Sequence, residues 1–407
     1  MFLNLSKRYL HTYKNFSKAT WINILAVFIM SFGLMMSSIF TLFLNQKGVS
    51  IREIAWIIAT GGVGGILGSY LCGSIAKRVS PTRIAQLSVL AFAILMLIYP
   101  LIKNMSLFFI LLFLANFFLG LFRPANNLML FAHAPAAEHT RVMALNRVAF
   151  NLGLAFATSI GAFLAAINFN WFFIFSAVMA LLAAIVLFAY NALLHVDINQ
   201  DINAKEKLNT TNSWRMFLRQ HSFIFLSLLF FCFYLMFNQT RITYSLFLTD
   251  DYHLNLRHIG LLFMINFLLV VFFEVPLMTR LRHANQISLT LWGSVFVGLG
   301  MFMLPFGHGL SWAAWSVLLW SIGEVLATSP FFVLAYRFAA PDNKAFYVGI
   351  FHSVFSASLV LAPLAGGFLY PIYHGYLLWI SCGIMTVMIV LGFLYLKRQQ
   401  AKVDYAN

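Results

Sequence analysis

The chain has 407 residues, 62% of them hydrophobic and only 9% charged, with a mean hydropathy of +0.87 and a formal net charge of +15. A soluble globular domain carries about 25% charged residues, so the composition excludes that class and indicates an integral membrane protein. Nucleic-acid binding is excluded as well, because Lys and Arg are spread thinly over many short loops rather than gathered in a stripe.

Crossing a hydrocarbon core about 30 Å thick takes roughly 20 apolar residues as a helix. Runs of this kind occur at 20–45, 54–76, 84–102, 107–133, 143–166 and 171–194, and again at 221–248, 259–279, 287–305, 312–339, 347–369 and 377–396. A barrel would alternate polar and apolar residues over about ten positions, which these continuous runs do not do. The expected fold is therefore all-α, with twelve transmembrane helices. Lys7, Arg8, Lys14 and Lys18 precede the first span without a small-residue cleavage signature, so that helix is read as retained.

Basic residues alternate by loop. Lys77, Arg78, Arg83, Arg141, Lys205, Lys207, Arg215, Arg219, Arg280, Arg282, Arg337 and Lys344 fall on one side, and only Lys47, Arg52, Lys103 and Arg257 on the other. The positive-inside rule then places both termini in the cytoplasm. The longest polar stretch, 195–220, divides the spans six and six, giving a first bundle at 1–194, a cytoplasmic linker at 195–220 and a second bundle at 221–407.

Polar residues inside the spans carry the functional expectations. Span one has Ser31, Ser38, Thr41 and Asn45 at helical spacing. Span two holds Gly61, Gly62, Gly64, Gly65, Gly68 and Gly73, and small residues four apart let helix backbones approach closely; tight packing is the plain reading, a sliding surface the functional one. Arg123 and Asn127 in span four, Arg147 and Asn151 in span five, and Tyr234, Asn238, Arg241 and Ser245 in span seven form stripes suited to a water-filled substrate cavity. Interhelical hydrogen bonding would produce the same pattern.

Only two carboxylates, Glu274 and Glu324, lie deep within apolar segments. A charge near the centre of a membrane helix costs about 2.5 to 3.5 kcal/mol, so each needs a reason. Glu324 sits near mid-membrane in span ten, with Thr328 extending its polar face. Burial disfavours its charged form, which suits it to take up and release a proton; an acid that merely joins two helices is the structural alternative. Glu274 lies nearer the cytoplasmic end of span eight, at the depth of Arg147, and the two could form a gate between the halves or reach the interface separately. His352, with Ser356 at i+4, is a second candidate for proton transfer, or else an ordinary hydrogen-bonding residue. Cys72, Cys232 and Cys382 have no disulfide or metal spacing. No HExxH, Walker A, nucleophile elbow or Cys/His set is found, so no enzyme, metal or cofactor is expected. Without an ATP-binding segment an ion gradient supplies the work, about 2.3 kcal/mol per charge per 100 mV.

Several motifs resemble the major facilitator superfamily over nearly the whole chain. Gly73-Ser74-Ile75-Ala76-Lys77-Arg78-Val79-Ser80 is similar to that family's loop motif Gly-x-Leu-Ala-Asp-Arg-x-Gly, with Lys77 replacing its aspartate and Ser80 its second glycine. Arg123-Pro124-Ala125-Asn126-Asn127, the run from Arg147 through Gly153, Gly323-Glu324 with Pro330, and Asn266 with Glu274 and Pro276 resemble proton-coupled multidrug and oligopeptide carriers. Drug antiporters typically carry an arginine where Asn116 stands and a Gly-Pro where Ala157-Thr158 stands, while Pro363 with Gly366-Gly367 looks like a copy of that element in the other half. The resemblance implies a monomeric alternating-access carrier in the inner membrane, binding protons and a small-molecule substrate within the lipid bilayer. Export comes first; uptake of a peptide, siderophore or similar nutrient is the alternative, and a channel or sensor on the same scaffold the third reading. Gly73, Lys77 and Arg78 would then belong to a loop that controls conformation.

Overall fold

A computed structural model describes residues 16–34, 37–76, 78–102, 104–134, 139–194, 220–281, 284–338 and 344–406. These residues form helices and turns, with no strand among them. In chain order the helices are α1 (Lys18–Phe32), α2 (Ser37–Gln46), α3 (Ile51–Ile75), α4 (Pro81–Ile98), α5 (Met105–Ala132), α6 (His139–Ile167) and α7 (Phe169–Leu194). The second series is α8 (His221–Phe237), α9 (Thr243–Asp250), α10 (Leu256–Arg280), α11 (Gln286–Phe302), α12 (Gly309–Phe338), α13 (Lys344–Leu369) and α14 (Tyr376–Ala406).

Nine of the described helices are long and apolar enough to cross a membrane; three further apolar helices, Lys18–Phe32, Gln286–Phe302 and Ser353–Leu369, are shorter. Helix starts follow local capping chemistry. The Ser17 hydroxyl accepts from Thr20 N at 3.2 Å, and Asn104, Asn255 and Asn285 accept from Ser106, His258 and Ser288 N at 3.0, 3.0 and 3.1 Å. Ser80 caps α4 and Pro81 occupies its first turn, where a missing N–H costs nothing. Pro124, Pro276, Pro330 and Pro363 lie inside α5, α10, α12 and α13, which membrane helices tolerate where neighbours satisfy the freed carbonyls.

Two expected spans are interrupted. Span one breaks after Phe32 into α1 and α2, and span seven breaks after Phe237, where Asn238–Arg241 form a 3-10 turn before α9. Gly33 ends α1; a Cβ there would press on Ser176 O and Met179 Cβ at 2.8 Å. At the second break Thr240 donates to Phe237 O at 2.8 Å and Thr243 to Gln239 O at 3.2 Å. Such short polar side chains offer the backbone an alternative to continued helix, a competition that hydropathy does not register.

The described residues within Met1–Leu34, Gly64–Ala157 and Phe173–Asn203 form one compact unit, and those within Met35–Val63, Thr158–Phe172 and Ala204–Asn407 another. In the first unit the glycine stripe of α3 serves tight packing: a Cβ on Gly64 or Gly68 would collide with the Phe113 or Phe117 carbonyl of α5. Ile24, Leu130, Val142 and Ala149 form a small core there. The second unit has a larger aromatic core in which Phe230, Phe233, Phe331, Phe351, Trp320 and Trp379 are almost wholly buried. Helix α11 packs on α12 and α14, α8 on α13, and α10 on α12. The expected 195–220 linker lies outside the described residues except for Gln220.

Candidate functional site

The polar groups of the second unit gather around the broken helix. Glu324 lies halfway along the 30-residue α12. Gly323, one position before it, sits against Gly293 and Val297 of α11, while Glu324 is turned toward α10. There the Asn266 amide, 3% exposed, donates to Glu324 Oε2 at 2.9 Å and lies 3.0 Å from Ser321 Oγ. Ser321, Glu324 and Thr328 are spaced i, i+3 and i+7, so they share one helix face, and Tyr234 OH reaches Thr328 Oγ1 at 3.5 Å.

Arg241 closes the 3-10 turn and keeps exposed surface. Its Nε donates to Asn238 Oδ1 at 3.1 Å, and the Asn238 amide donates to Ser358 Oγ of α13 at 3.2 Å. Arg241 also interacts electrostatically with Glu324 and Tyr234. The predicted residues Tyr234, Asn238, Arg241, Glu324 and Thr328 are thus brought into one constellation built on α8, the 3-10 turn, α12 and α13. Phe230 and Phe355, at 4.6 and 4.7 Å from Tyr234, give it an aromatic wall. A carboxylate and a guanidinium within mutual influence, bordered by amides, hydroxyls and rings, can exchange a proton and hold a polar solute.

Four residues escaped detection as site residues from sequence. Asn266 and Ser321 buttress Glu324, and Ser329 donates to Glu274 Oε1 at 3.0 Å. The signal available for Ser321 was its i−3 spacing from Glu324. Gln239 was also missed: its amide donates to Ala362 O at 2.9 Å and its Oε1 accepts from Thr243 at 3.0 Å, fastening the break to α13. Glu274 itself is buried, at 7% exposure, on α10.

In the first unit the arrangement is different. Arg123 on α5 and Arg147 on α6 both keep exposed surface, and the Arg123 guanidinium lies 5.6 Å from the Phe150 ring centroid. Asn127 and Asn151 are partly buried. Their neighbours are the ones turned inward: the Asn126 amide donates to Asn146 Oδ1 at 3.3 Å, and Asn23 reaches Asn126 O at 3.5 Å. Gly73 lies in the last turn of α3 and Arg78 is exposed in the turn after it, whereas Lys77 is outside the described residues. His352 is on α13, and its side chain is likewise outside those described. No group of three or more His, Cys, Asp or Glu that could hold a metal occurs among the described residues.

Comparison with known proteins agrees with this architecture. The family model described as Major Facilitator Superfamily matches residues 24–357. A Bacillus subtilis (strain 168) protein described as the uncharacterized MFS-type transporter YqjV is 21% identical over 369 residues, covering 88% of each chain. Among solved structures, the nucleoside transporter NupG superposes with a TM-score of 0.76 at 14% identity, covering 93% of this chain and 99% of that one. A POT family transporter in complex with a thioalcohol-conjugated peptide gives 0.75 at 14% identity, covering 94% and 96%. A D-xylose-proton symporter gives 0.71 at 15%, covering 92% and 96%. With the family model spanning most of its length, the chain belongs to the Major Facilitator Superfamily and is a multi-pass membrane transporter.

Proposed function

We propose that this transporter moves a small organic solute across the inner membrane by alternating access, coupled to proton uptake and release at Glu324. The observation that carries the reading is the setting of that carboxylate: midway along α12, held by the Asn266 amide and within the electrostatic reach of Arg241 beside a broken helix. Carriers built from repeats place their sites on discontinuous helices near mid-membrane. When Glu324 is charged it balances Arg241; when it is protonated, Arg241 needs another anion or acceptor. Proton occupancy and solute binding are thereby linked.

In this reading the chain crosses the membrane twelve times, as halves 1–194 and 221–407 joined by 195–220, acts as a monomer, and has both ends in the cytoplasm. Glu274 and Arg147 form a gate between the halves, Arg123, Asn127 and Asn151 line the cavity, His352 assists proton transfer, and Gly73, Lys77 and Arg78 control the conformational loop. Export is the first reading of direction, resting on Pro363 with Gly366-Gly367, which is similar to the Gly-Pro element of drug antiporters. Uptake by symport is the second, favoured by the likeness to a D-xylose-proton symporter and by Asn116 and Ala157-Thr158 standing where drug antiporters differ.

Vesicles decide between the two. Proton-driven accumulation in everted vesicles supports export, and accumulation in right-side-out vesicles supports uptake. A thermal-shift screen of drugs, peptides, nucleosides and siderophores identifies the ligand to assay. Unchanged gradient-driven transport by Glu324→Gln would remove the proton assignment.

A further inference from the structure

One sequence pattern occurs twice at helix starts, and a second occurs twice at helix ends. Ile51-Arg52-Glu53-Ile54-Ala55 opens α3 and Leu256-Arg257-His258-Ile259-Gly260 opens α10; Gly161-Ala162-Phe163-Leu164 lies near the end of α6 and Gly366-Gly367-Phe368-Leu369 closes α13. Both recurrences have the same spacing of 205 positions, from 52 to 257 and from 163 to 368. All four segments belong to the second unit.

The copies meet crosswise. The Arg52 guanidinium of α3 lies 5.8 Å from the Phe368 ring centroid of α13, and that of Arg257 on α10 lies 4.6 Å from the Phe163 ring centroid of α6. Beside each pair the helices touch through small residues: a Cβ on Gly367 would overlap that of Ala55, and a Cβ on Gly260 that of Ala162. The early start segment docks on the late end segment, and the late start segment on the early end segment. Such reciprocity is what a twofold relation between repeats produces.

Burial follows the same correspondence. Phe163 and Phe368 are 47% and 46% exposed, while Ile54 and Ile259 are 0% and 1%. Ser50 Oγ accepts from Glu53 N at 3.3 Å and Asn255 Oδ1 from His258 N at 3.0 Å, so each arginine stands two residues after a capping residue. That is the positive end of the helix dipole, where a cation is disfavoured. An arginine there in both copies has a use that its own helix does not supply, and the facing ring supplies it.

We propose that the two contacts are twin latches that close this end of the second unit and release together, so that damage to either one loosens both. The latches rest on the proposed alternating access, whose topology puts this end of the unit opposite the two termini. Exposed cation–π contacts are individually weak, and a contact between glycine and alanine contains no hydrogen bond to break, so each pair can part without leaving a buried polar group unsatisfied. Rigid-body rocking of one repeat against the other separates α3 from α13 and α10 from α6 in the same movement.

The test uses Ile54→Cys and Ile259→Cys as separate reporters in the full chain. Right-side-out and everted membrane vesicles are exposed in parallel to a membrane-impermeant maleimide, and modification of each position is read by mass spectrometry. Gly260→Ala is expected to raise labelling of the reporter at 54, in the other latch, at least about fivefold, and Gly367→Ala to do the same for the reporter at 259. Ala55→Gly added to Gly367→Ala leaves that contact with a single methyl again and is expected to return labelling at 259 to within about twofold of the parent. Labelling that rises only beside the lesion, or at neither reporter, or a rise that Ala55→Gly leaves in place, would overturn the latches. Coupled labelling in everted vesicles alone would overturn the topology and leave the latches standing. Neither a proton gradient nor a solute enters the assay, so its outcome is separate from the assignment of Glu324.

Discussion

Two of the long apolar runs, 20–45 and 221–248, are broken, yet the two breaks are built from different chemistry. Between α1 and α2 the helix ends on Gly33, pressed against α7, and the interruption serves close packing. Between α8 and α9 the interrupted residues are Asn238, Gln239, Thr240 and Arg241, and each side chain makes a hydrogen bond. A similar contrast runs between the two compact units. The first meets its helices through glycine and small apolar contacts, with Arg123 and Arg147 exposed; the second concentrates carboxylates, amides and hydroxyls between α8, α10, α12 and α13. One pattern of interruption can thus serve either packing or chemistry, and the residues at the break decide which.

The sharpest way to break this contrast is to remove the charge at its centre. Glu324→Gln is expected to lower gradient-driven transport by about a hundredfold, roughly 2.7 kcal/mol of coupling, while solute still protects the protein in a thermal-shift assay. Asn266→Ala removes the donor to Glu324 and is expected to cost about tenfold in transport, close to what a charge-assisted hydrogen bond contributes. In Glu324→Gln that second change should add little, because the pair acts as a unit. Gly64→Val, in the first unit, forces a side chain onto the Phe113 carbonyl and is expected to lower stability by about 1 to 3 kcal/mol. Its readout is melting temperature, with solute affinity in the surviving protein unchanged.

Smaller effects sharpen the contrast. Ser329→Ala, which leaves the buried Glu274 without this donor, is expected to cost about 1 kcal/mol or somewhat more in unfolding free energy. Arg123→Gln is expected to change solute affinity by no more than about fivefold, since Arg123 keeps exposed surface beside Phe150 and exposed cation–π contacts contribute only about 0.5 to 1 kcal/mol. An Arg123 effect as large as that of Arg241→Gln would show that the chemistry is shared evenly between the units.

Much of the site was legible residue by residue. Glu324 stood out because a carboxylate in an apolar helix is costly, and Tyr234, Asn238 and Arg241 because polar residues recurred at helical spacing. Their partners were not legible. Asn266 lies 58 positions from Glu324 in sequence, and Gln239 meets Ala362 across 123; nothing local in the chain announces such a pairing. The breaks at 33–34 and 238–242 were missed for a related reason: hydropathy averages over a window and does not register a glycine at a close contact or a hydroxyl competing for a carbonyl.

From the sequence alone came membrane insertion, helical class, the approximate spans and the two unusual acids, since these follow from what each stretch of chain costs in hydrocarbon. Folding decided which amide holds Glu324, which arginine shares its field, and where a span ceases to be a single helix. Those are properties of distance and direction between segments far apart in the chain, and only packing sets them.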